Sequence, residues 1–407
     1  MSTVVLAYSG GLDTSFCAVW LKEHRGLDVV TCLVDTGGFS EEALGVLADR
    51  ALGLGVRAHR TVDARDDVYE RFVTYLVKGN VLRGGVYPVS VAAERTAQAE
   101  SVVELAREVG ASAIAHGSTG AGNDQVRFDV ALATLAPDLE IIAPIRELGW
   151  SRQQESDWLK EHEVAVDDQT VTYSLNEGLF GTTIGGKETH DGWSVPPEDA
   201  YTLTCSSEDA TPDAQEIVLG FRQGQAASLD GVELDGVALV EALNAICAPH
   251  GVGRGLHLGD TVLGVKGRIA FEAPAPLVLI EAHRELQKLV CTKWQQHWID
   301  QVGTFYGMQL HEGLYYDPVM RDLEAHLDSA NERVTGEVRV RLHRGRHDVV
   351  GVRSPYSLLG RGATYGEGDT VWSGAEAAAF AKIHGMQSRI ASLVGHNPQP
   401  PTAEVES

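Results

Sequence analysis

An apolar run at residues 3–8 (TVVLAY) ends in Ser9-Gly10-Gly11, and a helical stretch, FCAVWLKEH at 16–24, follows almost at once. This order of strand, tight turn and helix constrains the chain more than any other feature in it, because it repeats. DVVTCLV at 28–34 ends in Asp35-Thr36-Gly37-Gly38, and Ser40-Glu41-Glu42 then opens a helix over 41–55. A third strand is expected at 56–60, a helix around 68–76 and a long helix at 92–110. The strand ASAIAHG at 111–117 runs into a glycine-rich loop, STGAGND, and LEIIAPIREL at 139–148 reads as the last strand and its crossover. Strands that alternate with helices build βαβ units and a parallel sheet, so the first half is α/β, with ligands expected at the loops after the strand ends.

From about residue 166 the texture changes. Residues 178–212 are rich in Gly, Thr, Pro and acidic residues without clean periodicity. Strand-like pieces follow at 216–224, 232–236 and 260–273, then a helical region over 277–331 broken near 313–318. Residues 336–354 alternate on both sides of Arg344-Gly345, a hairpin signal. A helix is expected over 375–393, and the tail from His396 (HNPQPPTAEVES) has the composition of a disordered end. At 407 residues the chain is long for a single core, so a second, α+β domain is expected.

Charge and cysteines narrow the classes. With 57 acidic and 33 basic residues the formal net charge is −24, a field that repels nucleic acid and anionic membranes. No apolar stretch is long enough to span a bilayer, and no basic segment precedes an apolar one at the start. The five cysteines, Cys17, Cys32, Cys205, Cys247 and Cys291, are scattered and never at C-x-x-C spacing. That pattern fits small buried side chains in a reducing compartment, so the chain is expected to be cytoplasmic.

The loop Ser9-Gly10-Gly11-Leu12-Asp13-Thr14-Ser15 is the sharpest chemical feature. Its glycines let the backbone turn steeply, and hydroxyls and helix N-terminal amides face whatever anion sits there. It has no G-K-[ST] and no lysine, so it is not a Walker A loop, and the dinucleotide G-x-G-x-x-G is absent. Asp13 within such a loop is electrostatically awkward unless it orients the amides or handles a metal.

Directly after an N-terminal apolar strand, S-G-G-L-D-T-S resembles the pyrophosphate loop of the adenine-nucleotide alpha-hydrolase superfamily, and more closely that of the argininosuccinate synthase family. The likeness continues through GNVLRGGVYPVS (79–90), HGSTGAGNDQVRFD (116–129), APIRE (143–147), YSLNEGLFG (173–181) and GVGR (251–254). It resumes at 332–345, 349–358 and ATYGEGDT (363–370), and so spans nearly all of residues 3–395. The resemblance implies a nucleotide-binding domain at 1–165, a synthetase and oligomerisation domain at 166–370, a C-terminal oligomerisation helix at 371–395, a disordered tail at 396–407 and a homotetramer. It also implies that ATP, with Mg²⁺, adenylates the ureido oxygen of citrulline and that aspartate then displaces AMP to give argininosuccinate. By matched position, Ala7, Tyr8, Ser9, Gly10, Gly11, Leu12, Asp13, Thr14, Ser15, Thr36 and Gly117 are implied at ATP. Thr119, Asn123 and Asp124 are implied at aspartate, and Tyr87, Asn123, Arg127, Ser174 and Thr183 at citrulline. Asp13 and Asp124 are the implied catalytic residues, and no protein ligand of the metal is assigned.

Departures from the family pattern gather around the acceptor. Thr183 stands where serine is usual, Gly259 where glutamate is usual and Phe271 where tyrosine is usual. Val91 replaces a usual threonine, Ala121 a usual lysine and Thr96 a usual proline. Asp260 is a substitute for the missing glutamate only if it shares the face of Gly259. Two functions therefore compete: argininosuccinate synthesis with an altered citrulline site, or a paralogous ligase that adenylates another ureido or carboxylate acceptor, one without a free α-amino group. A third class, a non-catalytic binding protein on the same fold, is opposed by the intact loop at 9–15.

Overall fold

The computed structural model describes residues 2–164, 173–362 and 371–396. The 165/166 domain boundary, the motif at 363–370 and the tail beyond His396 lie outside the described residues. The chain divides into two compact units, residues 1–356 and 357–407.

In the first unit, strands β1 (Thr3–Ala7), β2 (Asp28–Asp35), β3 (Ala58–Asp63), β4 (Ala113–Ala115) and β5 (Glu140–Ile142) form one parallel sheet in the order β3-β2-β1-β4-β5. β1 is apolar from Val4 onward because both its faces are covered. Val4 and Leu6 pack with Phe16 and Leu21 on one side, while Val5 joins Phe72 and Ala97 on the other. The chain builds outward from β1 to β3 and then crosses back to place β4 on the other side of β1. The loops after β1 and β4 therefore part at the strand ends and leave the crevice in which open α/β sheets bind ligands.

The later residues add β6 (Tyr173–Asn176), β7 (Thr182–Gly186), β8 (Gln215–Arg222), β9 (Gln225–Leu229), β10 (Val232–Glu233), β11 (Arg254–Asp260), β12 (Lys266–Glu272), β13 (Gly336–His343) and β14 (Arg346–Arg353). They form two antiparallel sheets, β10-β9-β8-β13-β14 and β11-β12-β7-β6. The hairpin expected at Arg344-Gly345 is present, with φ of 35° and 77° at those two residues, the left-handed pair that a tight hairpin needs. Packing runs on across residue 165: Val5, Val30 and Phe72 share one apolar cluster with Leu279, Leu286 and Val338.

Several elements differ from expectation in bounds. The third strand runs over Ala58–Asp63 rather than 56–60. The helix near 68–76 is three pieces, Arg65–Val68, a π-helical turn at Tyr69–Val73 and Thr74–Lys78. The region 277–331 is three helices, Pro274–Val290, Lys293–His311 and Val319–Asn331. The extra break falls where Thr292 and Gln295 form a capping box, a local hydrogen-bond exchange that apolar periodicity does not reveal. Residues 260–273 are not one strand: Thr261–Val265 turn the chain between β11 and β12. In the second unit the expected single helix is split at Gly385 into Gly374–His384 and Met386–His396, so His396 ends a helix rather than opening the tail. Phe380, Ile383, Ile390 and Leu393 on these two helices are exposed.

Candidate functional site

The loop after β1 is built for an anion. Gly10 turns at φ 77°, and a side chain there would overlap Leu47, so only glycine fits both the backbone and the space. Arg50 fixes the turn by donating from Nη1 to the Gly10 carbonyl at 2.8 Å. The helix Leu12–Arg25 then starts at Gly11 with no side-chain cap, and Ser15 is the first residue whose amide reaches back, to Gly11 O at 3.0 Å. The amides of Leu12, Asp13 and Thr14 are thus free of helix partners and carry the positive end of the helix dipole. Ser9 and Thr14 brace the loop, with their hydroxyl oxygens 3.2 Å apart and Gly11 N donating to Ser9 Oγ at 3.4 Å.

The residues expected at ATP divide into backbone and side-chain contributors. Leu12 is buried in the core and offers only its amide, and Ala7 is held in the β1–β2 ladder. Tyr8 is buried, and burial raises its hydroxyl pKa. Thr36 is buried, and its carbonyl accepts from Leu179 N at 2.8 Å. Asp13 is turned toward the helix Arg152–Glu161, with Arg152 Nη2 at 3.8 Å from its carboxylate. Burial raises Asp13 and also Glu155 beside it, so the pair holds a proton more readily than exposed carboxyls do. That arrangement lessens the awkwardness of an acid in a phosphate loop, since burial favours its neutral form and Arg152 and its own backbone amide offset the charge that remains.

The loop after β4 meets the first one. A methyl group on Gly117 would lie 3.1 Å from Thr14 Cγ2, so the two loops touch at the crevice. His116 orients this second loop, accepting from Ser118 N at 3.3 Å on Nδ1 and pairing through Nε2 with Asp129 at 3.0 Å. Thr119 is exposed, and Asn123 receives Val262 N on Oδ1 at 2.8 Å, which ties the loop to the β11–β12 turn. Asp124 opens the helix Asp124–Leu135 and sits between two guanidiniums, Arg95 at 3.0 Å and Arg127 at 2.8 Å. Burial works to raise its carboxyl, but the two arginines outweigh that and hold it below the usual range. Arg127 is itself buried and committed: Nε donates to the His311 carbonyl, Nη1 to Asp124 and Nη2 to His311 Nδ1. Two of its five N–H bonds remain for a ligand.

Of the residues expected at the acceptor, Ser174 and Thr183 lie on the β11-β12-β7-β6 sheet and Tyr87 packs against it, whereas Asn123 and Arg127 belong to the loop and helix after β4. Asn176, Thr183, Phe271 and Gly255 lie opposite one another in successive ladders and so point the same way. Ser174 and His257, two residues along their strands, share that face; Ser174 is exposed, whereas His257 is buried. Tyr87 packs on the face from the start of the Ser90–Glu108 helix, 5.4 Å from Phe271 and 5.5 Å from His257. The turn that delivers it is strained: Val89, β-branched and buried, is left-handed at φ 59°. Asp260 does not replace a carboxylate at 259, because it is one residue out of phase, exposed, and paired with Lys266 at 2.6 Å. Val91 and Thr96 are buried on the Ser90–Glu108 helix, and Ala121 is exposed in the second loop.

Sequence reasoning missed His257, Arg83, Arg95 and Glu94. Arg95 links the loops by also donating to Asn176 Oδ1 at 2.5 Å. Glu94 is fully buried, neither of its oxygens is hydrogen-bonded, and burial pushes it up to about 8. For Glu94 and Arg95 the local sign was weak, since the helix that carries them also has charged residues on a solvated face at Glu104, Arg107 and Glu108. His257 lies in G-x-H-x-G, a period-two pattern that only a known strand makes meaningful. Among the described residues no group of three or more His, Cys, Asp or Glu could hold a metal ion. Nor is any helix of the described residues long and apolar enough to cross a membrane.

Comparison with known proteins agrees with this geometry. Residues 3–165 match the arginosuccinate synthase N-terminal HUP domain, and residues 173–391 match the arginosuccinate synthase C-terminal domain. The chain is 41% identical over 396 residues to the argininosuccinate synthase of Xanthomonas campestris, covering 96% of this chain and 98% of that protein. It is 40% identical over 394 residues to that of Dictyoglomus turgidum, with 96% and 98% covered, and 38% identical over 387 residues to that of Methanocaldococcus jannaschii, with 95% and 97% covered. A nucleotide-type loop at the switch point, a second loop carrying Asp124 and both halves of the family pattern place this chain in the argininosuccinate synthase family of ATP-dependent ligases.

Proposed function

We propose that the protein activates an acceptor oxygen with ATP and joins the activated carbon to the amine of aspartate, releasing pyrophosphate and AMP. The observation that carries this is the contact of the two βα loops at Thr14 and Gly117, which sets the free helix amides against the loop that leads to Asp124. A ureido or carboxylate carbon is a poor electrophile. Attack of its oxygen on the α-phosphorus expels pyrophosphate and leaves an AMP ester, from which the amine nitrogen then displaces AMP. Positioning and charge stabilisation supply most of the rate in such a sequence. The amides of Leu12, Asp13 and Thr14 meet the phosphate charge. Asp124, held ionised by its arginines, is a charge partner that orients the amine rather than a base that deprotonates it. Mg²⁺ would neutralise ATP charge, and since no group of three or more His, Cys, Asp or Glu that could hold a metal ion is found among the described residues, the reading gives it mainly phosphate oxygens as ligands.

Citrulline is the acceptor that family membership favours, giving argininosuccinate in arginine biosynthesis. A different ureido or carboxylate acceptor is favoured by one observation, the buried imidazole of His257 where residue 259 has no side chain. Pyrophosphate release with Mg-ATP and aspartate, with and without citrulline, tests the first reading, and argininosuccinate as product is the expected result. Failure with citrulline but turnover of another acceptor supports the second. The exposed apolar residues of the two C-terminal helices support a homotetramer, to be checked by light scattering of the full chain and of a chain ending at residue 371. The free cysteines support a reducing, cytoplasmic location.

A further inference from the structure

β11 presents Gly255, His257 and Gly259 to the acceptor face at a spacing of two, with exposed Leu256 and Leu258 on the other side. The two glycines have a packing consequence. A side chain at 255 would overlap the Phe271 ring, and a methyl at 259 would lie 2.6 Å from His257 Nε2. Both rings therefore lie along the strand rather than standing off it. Tyr87 closes over them, with its ring 23° from parallel to the imidazole and 54° to Phe271. Gly84 bounds the imidazole from the other edge, since a methyl there would be 3.2 Å from Nδ1. His257 is 7% exposed, and its Nε2 is buried without a hydrogen-bond partner. A buried polar nitrogen without a protein partner is uncommon and calls for a water or a ligand atom beside it.

The charges around this wall have one sign left over. Arg83 gives one N–H to the Asp260 carbonyl at 2.5 Å, and its field is met in part by Glu312. Arg127 keeps two free N–H bonds, as above. On the acidic side, Asp124 is spent between Arg95 and Arg127, and Asp260 faces away and pairs with Lys266. Glu94 is raised to about 8 and so is protonated at neutral pH. Burial and the nearby Arg83 lower His257, which leaves it a neutral imidazole able to give or take one hydrogen bond. An ammonium group entering here meets the guanidiniums of Arg83 and Arg127, with Asp124 already shared between two arginines and Glu312 set against Arg83, whereas a carboxylate meets Arg127.

We propose that this face selects an acceptor carrying a carboxylate but no α-ammonium group, with an uncharged α-substituent, a hydroxyl or an acylated amine, hydrogen-bonded to His257 Nε2. This rests on the ligase reading and names the substrate class for it. His257 is then a specificity-determining residue, and Gly259 is the space that lets it lie down.

The test compares L-citrulline, N-acetyl-L-citrulline and 2-hydroxy-5-ureidopentanoate, each with Mg-ATP and aspartate, by pyrophosphate release from the full-length protein. At least one of the two ammonium-free compounds is expected to exceed citrulline in kcat/KM by about tenfold or more, the discrimination one matched polar group supplies. Citrulline equal to or better than both overturns the inference while leaving the ligase reading in place. Calorimetric titration of the three compounds with a non-cleavable ATP analogue separates the two failures. Tighter binding of an ammonium-free compound without turnover sinks the ligase reading and keeps the selectivity. Two variants test the imidazole itself. His257→Phe keeps the stack and removes the nitrogen, and is expected to raise KM for the preferred acceptor about fivefold or more with kcat little changed. His257→Gln keeps a hydrogen-bonding group and is expected to recover most of that loss. The opposite order, Phe retaining KM and Gln losing it, would show that the ring only packs and would overturn the assignment.

Discussion

The two sides of the crevice are built on opposite plans. The nucleotide side is backbone: free amides at a helix start, a glycine turn locked by Arg50 and Leu47, and side chains that mainly brace the loop. The acceptor side is side chains: two aromatic rings, a buried imidazole and guanidiniums at the face of an antiparallel sheet. Backbone recognition tolerates sequence change because every residue carries the same amide. Side-chain recognition does not, so a single glycine at 259 alters what the acceptor side can read. On the proposed reading, the difference teaches that adenylation, the step common to all acceptors, and the choice of acceptor rest on separate parts of the crevice.

Breaking the nucleotide side should give the largest effect. Gly10→Ala adds a methyl at a left-handed position that overlaps Leu47, and pyrophosphate release is expected to fall about 100-fold or more with every acceptor alike. A loss confined to one acceptor would break the separation just drawn. Next comes Asp124→Asn, which leaves Arg95 and Arg127 without their shared anion. A fall in kcat of roughly 30- to 100-fold is expected, with the KM for aspartate rising more than that for the acceptor. Equal KM changes would place Asp124 on both sides of the crevice rather than at the amine.

Glu94 sharpens the comparison through stability. Its folded pKa, about 8, lies above its ordinary value of 4.5, so the folded state binds the proton more tightly. Stability from this group is whole below pH 4.5 and is lost as pH rises toward and through 8. Glu94→Gln removes the linkage: the variant is expected to gain on the order of 4 to 5 kcal/mol over the parent at pH 8.5 and little near pH 4.5, read by urea unfolding. A pH-independent difference would mean that Glu94 is ionised and paired in the fold. The smallest effect is expected from Phe271→Tyr, which adds a hydroxyl beside Tyr87 and Thr183 without moving a charge. Selectivity among acceptors should shift by about threefold or less. A larger shift toward citrulline would move the centre of acceptor choice from His257 to residue 271.

Much of the fold was legible because its signals are local. The alternation of apolar strand and helix through β5, the loop at 9–15 and the Arg344-Gly345 turn are each written within a few residues. Helix breaks were less legible, since a capping box at Thr292 or a π-helical turn at Tyr69–Val73 leaves the apolar periodicity nearly intact. On the site, the sequence marked Asp13 as awkward but held no sign that Arg152 and Glu155, well over 100 residues on, would flank it.

By itself, then, the sequence determined the parallel sheet, the anion loop and the family, all of which follow from short-range pattern and from motifs whose residues are neighbours. Only the tertiary structure decided what the acceptor side can recognise. Whether Asp260 could stand in for a missing carboxylate depended on strand register, and β11 turns it to the opposite face. Whether His257 was packing or reading depended on Arg83 and Tyr87, from one turn remote from it in sequence, and on Phe271, set beside it only by the pairing of β12 with β11. Period-two geometry fixes a side chain's direction only once its ladder partners are known, and those partners are set by long-range pairing.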